Sequence, residues 1–172
     1  MGTATMTVIP VVLAGITPLL CGRPAEPLPG HTPRQQALAR LYQDEQGQAV
    51  MPAINVFRCI TSAGWLLDRD PAELVHALGI RVTAIPIRSR GSWQVDTRSV
   101  RKPGSQERMV CHRPRFDDWS LGFDLLVDRD LLDPDLAAAV IEAAGQRLGL
   151  GDFRAERGGP FGRFRIGHWG WP

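Results

Sequence analysis

Lysine is nearly missing from this sequence: of 20 basic residues only Lys102 is one, and the other 19 are arginine. Arginine forks onto phosphate and stacks on bases as lysine cannot, although a GC-rich genome produces the same bias with no functional cause. Cysteine is sparse as well. Cys21, Cys59 and Cys111 form no Cys-x-x-Cys pair, and the one histidine near any of them, His112, adjoins Cys111. That excludes a zinc site of ordinary spacing and a disulfide framework, and points to reduced, mostly buried thiols in a cytoplasmic protein. Long apolar runs are missing too. Residues 7–21 are too few to span a bilayer, are interrupted by Pro10 and Pro18, and have no basic residue before Arg23, so neither a membrane span nor a secretion signal is expected. Residues 18–20 lack the small side chains that lipoprotein cleavage before Cys21 would need.

What is present fits one soluble domain covering residues 1–172, with 44% hydrophobic and 22% charged residues. The β-branched stretch 5–14 reads as a first strand, and Pro10 asks for an edge or a bulge there. Thr32, Pro33 and Gln35 cap a short helix reaching about Tyr42. Val56, Ile60, Ala63 and Leu67 recur at helical spacing after Pro52. Asp70 and Pro71 start a helix that runs to Leu78 and stops at Gly79. Residues 81–88 read as a strand. Two extended runs, 93–101 and 107–115, flank Pro103 and Gly104 and form a hairpin within 91–116. Strict alternation over 119–127 marks a half-buried strand. Asp133 and Pro134 cap a helix carrying Ala137, Ile141, Ala144 and Leu148, which Gly149 ends, and 161–169 is the last strand. The order suggests an α+β fold of the ferredoxin-like β-α-β-β-α-β type with an inserted basic hairpin.

Charge is segregated along the chain. Residues 81–116 hold nine basic residues against two acidic ones, a local +7, and residues 117–153 hold nine acidic against two basic, a local −7. A basic hairpin carrying Trp93 suits a single-stranded nucleic acid, through phosphate contacts from Arg88, Arg90, Arg98, Arg101, Lys102 and Arg108 and a stacking surface. Six such contacts would give log K a slope of about −4 against log salt. The same segregation suits a neighbouring identical subunit, whose acidic face would meet the basic one. A second feature is the run from Gly158 and Gly159 through Gly162, with Arg163 and Arg165 alternating after it. Such glycines admit close approach of a ligand, and the arginines could hold phosphate. It is no Walker loop and no dinucleotide fingerprint, and it also reads as a turn into the last strand with Phe161 and Phe164 packed inward.

Residues 15–20 (GITPLL), residues 50–53 (VMPA) leading into a helix with Arg58, and residues 158–164 (GGPFGRF) resemble three landmarks of the RAMP superfamily, the RNA-binding subunits of CRISPR effector complexes. The likeness is greatest to the backbone subunit that polymerises along the guide RNA, and it extends to proteins of phages and mobile elements. It implies a ferredoxin-like fold, Asn55 and Arg58 facing RNA, Gly158, Gly159 and Gly162 in the glycine-rich loop, and the 91–116 hairpin as the thumb. The helix entry departs from the family's pattern, reading PAINVFR over residues 52–58 instead of Pro-Gly-Ser-Ser.

Catalysis has little support. His31, His76, His112 and His168 show no paired spacing; Asp117 with Asp118 and Asp128 with Asp130 could bind a metal but read as solvated turns, so no metal or cofactor is expected. An endoribonuclease of the RAMP type would look first to His112 and Asp96. The expectation is therefore a non-catalytic protein that binds single-stranded RNA or DNA, away from membranes, as a repeating subunit of a homo-oligomer or multi-subunit complex. Stacking would fall to Trp93 with Phe161 or Phe164. The alternative is a structural or assembly protein of a phage or mobile element.

Overall fold

The computed structural model describes residues 5–102 and 104–171. Its central strand, β8 (Ser120–Asp128), accounts for the alternation in the sequence. β8 runs antiparallel to β1 (Met6–Gly15), from Met6↔Asp128 to Ala14↔Ser120. On its other side it pairs with β4 (Leu78–Ile80) and β5 (Ala84–Arg88). β3 (Val50–Pro52) extends the sheet beyond β5, and β9 (Phe164–Trp169) extends it beyond β1, giving the order β3-β5-β8-β1-β9 with β4 also on β8. One face is apolar: Ile9, Val11, Leu13, Leu121, Phe123, Leu125 and Phe164 are buried there, in one cluster with Val56 and Ile60 of α2 (Ala53–Ser62) and Val140 and Ile141 of α4 (Pro134–Ala143). Each such side chain contributes about 2 kcal/mol through its removal from water.

Pro10 lies where its missing donor costs nothing. The β1–β9 ladder ends at Val11↔Trp169, the Pro10 carbonyl accepts the Gly170 N–H at 2.9 Å, and the register shifts between Val12 and Leu13. The expected edge position is corrected, since β1 lies between β8 and β9; the proline is accommodated instead at the end of one ladder, with a register shift two residues on.

The helix caps follow the sequence. In α1 (Pro33–Arg40) the Thr32 hydroxyl accepts from the Gln35 N–H while Gln35 reaches back to Thr32. Asp70 caps α3 (Pro71–Ala77), and Asp133 caps α4. One helix ends earlier than expected, and two reach their expected ends with a change of pitch. The second helix stops at Ser62 and tightens into a 3-10 turn over Ala63–Leu67, closed by Asp68 with φ 54°. The third stops at Ala77, because Leu78–Ile80 leaves it to pair with β8; cross-strand bonds there outweigh one more helical turn. The last helix continues beyond Ala143 as a π-helical turn, Ala144–Leu148. Gly145 permits this, since a Cβ there would collide with the Phe164 carbonyl.

The hairpin forms as β6 (Gln94–Arg101) and β7 (Arg108–Phe116), in register from Gln94↔Arg115 to Arg101↔Arg108. β2 (Leu19–Leu20) adds to β7 at Phe116, so the hairpin belongs to a second, three-stranded antiparallel sheet, on which α1 packs. Pro103, expected at its tip, lies outside the described residues. No helix among the described residues is long and apolar enough to cross a membrane. The architecture is thus a mixed α+β domain built on antiparallel sheets.

Candidate nucleic-acid interface

Asn55, Arg58, Cys59 and Ser62 follow one another at helical spacing along one side of α2 and line a cleft of about 510 Å³. Its other wall comes from residues 149–152, Arg154 and Glu156, with Cys21 and Tyr42 at the side. Asn55 and Arg58 are exposed, Asn55 Nδ2 reaches Met51 Sδ at 3.9 Å, and Arg58 has no ion-pair partner among the described residues. Cys59 Sγ donates to the Gly149 carbonyl at 3.3 Å. Burial pushes the Cys59 thiol up to about 12, and it does the same to Cys21, with Asp152 adding to the effect there. Neither is a nucleophile at neutral pH. Burial also raises Asp152, against the opposing pull of Arg113, Arg40 and Arg154. Arg154 is turned inward, bound to Glu156 at 2.7 Å and to the Gly151 carbonyl at 3.3 Å.

The glycine-rich segment approaches the protein's own backbone. Gly162, at φ 73°, donates to the Pro18 carbonyl at 2.8 Å and accepts from the Leu150 N–H at 2.9 Å, and a Cβ on it would strike the Leu150 carbonyl. At Gly159 a Cβ would strike the Phe153 carbonyl, whereas Gly158, at φ 72°, faces open space. The first and last landmarks therefore meet. Ile16 N–H donates to the Arg163 carbonyl at 2.7 Å, Arg163 N–H donates to Thr17 Oγ1 at 3.0 Å, and Trp119 Nε1 donates to the Thr17 carbonyl at 2.8 Å. Phe161 and Phe164 are buried, Phe164 edge-on to Trp119. The expectation that they stack on bases is thus corrected: their rings fill the core under the loop. Trp93 is half-buried, with the Arg34 guanidinium 4.3 Å from its ring centroid.

The basic residues divide into engaged and free groups. Arg98 binds the buried Asp96 through two bonds, of 2.6 and 3.0 Å, and lies 4.7 Å from the Phe161 ring centroid. Arg113 grips Asp152 at 2.9 Å and so ties the hairpin to the cleft wall. Arg90 pairs with Asp118, Arg108 bonds to Ser99, and Lys102 lies 3.9 Å from Glu107. Arg58, Arg88, Arg101, Arg163 and Arg165 are exposed and unpaired among the described residues. Arg88 and Arg165 close the two ends of one row, Arg88–Ser120–Ala14–Arg165, on the sheet face opposite the helices. That row lies at the end of the sheet from which the hairpin leaves. His112 and Asp96 occupy opposite faces of the hairpin, since His112 pairs with Thr97 and Asp96 with Arg113. They cannot act together on one bond.

The wall formed by residues 149–156 has only a faint trace in the sequence, in Gly149 and Gly151, because folding alone brings it opposite α2.

No protein-family model and no curated protein matches this sequence. Its fold does recur in solved structures. A chain of the type III-B Cmr-beta complex, determined by cryo-electron microscopy bound to cognate target RNA, aligns over 95% of this chain with a TM-score of 0.64 at 15% identity. The present chain spans 60% of that one. Cmr6 from Pyrococcus furiosus aligns over 95% of this chain and 100% of its own, with a TM-score of 0.53 at 10% identity. These likenesses show a shared fold, a mixed α+β domain with antiparallel sheets that is consistent with a RAMP-like fold.

Proposed function

We propose that the chain binds single-stranded RNA, largely without regard to sequence, as a non-catalytic subunit repeated within a CRISPR-type ribonucleoprotein assembly in the cytoplasm. The observation that carries this reading is that segments 15–20 and 158–164 bond to each other and to Leu150 and Asp152, which form one wall of the cleft, while Asn55 and Arg58 line the opposite wall and Arg113 ties Asp152 to a basic hairpin. The target-RNA-bound Cmr-beta complex, which shares the fold, supports the choice of ligand. The order β1, α2, β4 with β5, β8, α4, β9 and the strand sequence β9-β1-β8-β5 support a ferredoxin-like core.

In this reading Arg58, Arg88, Arg101, Arg163 and Arg165 meet phosphates. Asn55 lies beside Arg58 on the cleft wall. Arg90, Lys102 and Arg108 add weaker contacts by exchanging their present partners. Arg98 holds the hairpin in place, Trp93 offers a ring edge beside Arg34, and Gly158, Gly159 and Gly162 shape the loop. Fluorescence anisotropy with a single-stranded oligoribonucleotide tests the proposal. Five neutralised phosphates predict a log K slope of about −3.5 against log salt, and no binding at low salt would refute it. Single-stranded DNA in parallel decides the sugar. Shortening of the RNA with time would make the protein a nuclease instead.

A further inference from the structure

We infer that Phe153 is a stacking platform for one unpaired base of the bound strand; the inference rests on the RNA-binding reading above and adds a contact to it. Phe153 has φ 47°, and only Asp68 shares a positive φ among the described non-glycine residues. For a bulky side chain this is a strained outlier, and it persists only where the surroundings impose it. They do so here. The Phe153 carbonyl accepts the Phe161 N–H at 3.2 Å, Gly159 closes on its backbone, and its neighbours Asp152 and Arg154 are held by Arg113 and Glu156.

The strained backbone displays the ring instead of burying it. Phe153 is 39% exposed, while Phe161 and Phe164 are 5% and 0% exposed. Its ring is flanked by the guanidinium carbons of Arg98 at 5.7 Å and Arg113 at 5.8 Å, both from the hairpin and both fixed by carboxylates. Two carboxylate-bound cations therefore lie against a ring that stays exposed, at the point where hairpin, glycine-rich loop and cleft wall meet. A ring held this firmly loses little freedom when a base stacks on it, and the contact tolerates any base because each has a π-face. A purely packing role would be served by a buried side chain on a relaxed backbone.

The test compares two anisotropy probes of equal length, a single-stranded oligoribonucleotide and its abasic counterpart with the same phosphates. The native protein should prefer the base-bearing probe. Phe153→Leu, which keeps apolar volume, should lose that preference, with about 10-fold weaker binding of the base-bearing strand and an unaltered salt slope. Phe153→Trp should retain it and show fluorescence quenching on binding. Native affinity for both probes in Phe153→Leu, or an equal loss for both, overturns the stacking role and leaves RNA binding standing. Failure of the native protein to bind either probe at low salt overturns both.

Discussion

The two ends of the hairpin carry the same kind of residues and use them differently. At its base Arg98, Arg113 and Arg115 are spent on Asp96, Asp152 and Asp117, with Asp96 only 7% exposed, and the glycine-rich loop is locked beneath them by backbone bonds. At its tip Arg101 and Lys102 are exposed and Arg108 is held only by Ser99. The local charge of +7 therefore overstates what a ligand would feel. Arginine at the base is scaffold, because carboxylates fix it and one of them, Asp96, is buried, whereas arginine at the tip is left free for the proposed footprint, because only solvent and weak partners hold it.

The largest break in this contrast is expected at the base. Gly162→Ala sets a Cβ against the Leu150 carbonyl at φ 73°, so neither strain nor collision can relax alone. A loss of about 4 kcal/mol is expected in urea unfolding. Gly158→Ala, with the same sign of φ and open space around it, should lose only about 1 kcal/mol. Similar losses for the two variants would mean that the loop is not locked from below.

Asp96→Ala should follow in size. It leaves Arg98 and Arg115 facing each other with their shared carboxylate gone. Breaking a buried pair costs about 3–5 kcal/mol, and Arg98, at 39% side-chain exposure, keeps enough water to bring this down to about 2 kcal/mol. Urea midpoints measure it, and Asp96→Ala should also weaken RNA binding indirectly as the hairpin loosens.

The cleft supplies a pH test of the same rigidity. Cys21 and Cys59 have folded-state values raised to about 12 from 9.0. The folded protein therefore holds their protons longer than the unfolded chain does. Their contribution is fully present below pH 9, and it falls as pH climbs from about 9 towards 12. Unfolding free energy should drop by about 1 kcal/mol per thiol by pH 10, and Cys59→Ala should halve the slope. A flat profile would mean that water reaches both thiols.

How much of this could be read beforehand depends on the range of the signal. Thr32 with Gln35, Asp70 with Pro71 and Asp133 with Pro134 are contacts within one turn, and all three caps form as written. The 119–127 alternation and the hairpin were legible for the same reason. Leu78–Ile80 was not, because three residues after a helix carry no pattern of their own until β8 offers them partners. At the site, the arginines were visible but their engagement was not. Arg113 meets Asp152 only through the fold. Phe161 and Phe164 looked like stacking residues, while the displayed ring, Phe153, depends on a backbone angle that no local motif announces.

The smallest effect on stability, and the sharpest on binding, belongs to the tip. Arg101→Ala, Lys102→Ala and Arg108→Ala together remove three cations and no buried contact, so stability should move by less than about 0.5 kcal/mol. The salt slope of RNA binding should flatten by about 2 if all three meet phosphate, and by about 0.7 if Arg101 alone does. An unchanged slope would place the whole footprint on Arg58, Arg88, Arg163 and Arg165, making the hairpin a scaffold from end to end. Flattening by about 2 would mean instead that Arg108 leaves Ser99 and Lys102 leaves Glu107 when the strand arrives, because those partners are too exposed to compete with phosphate.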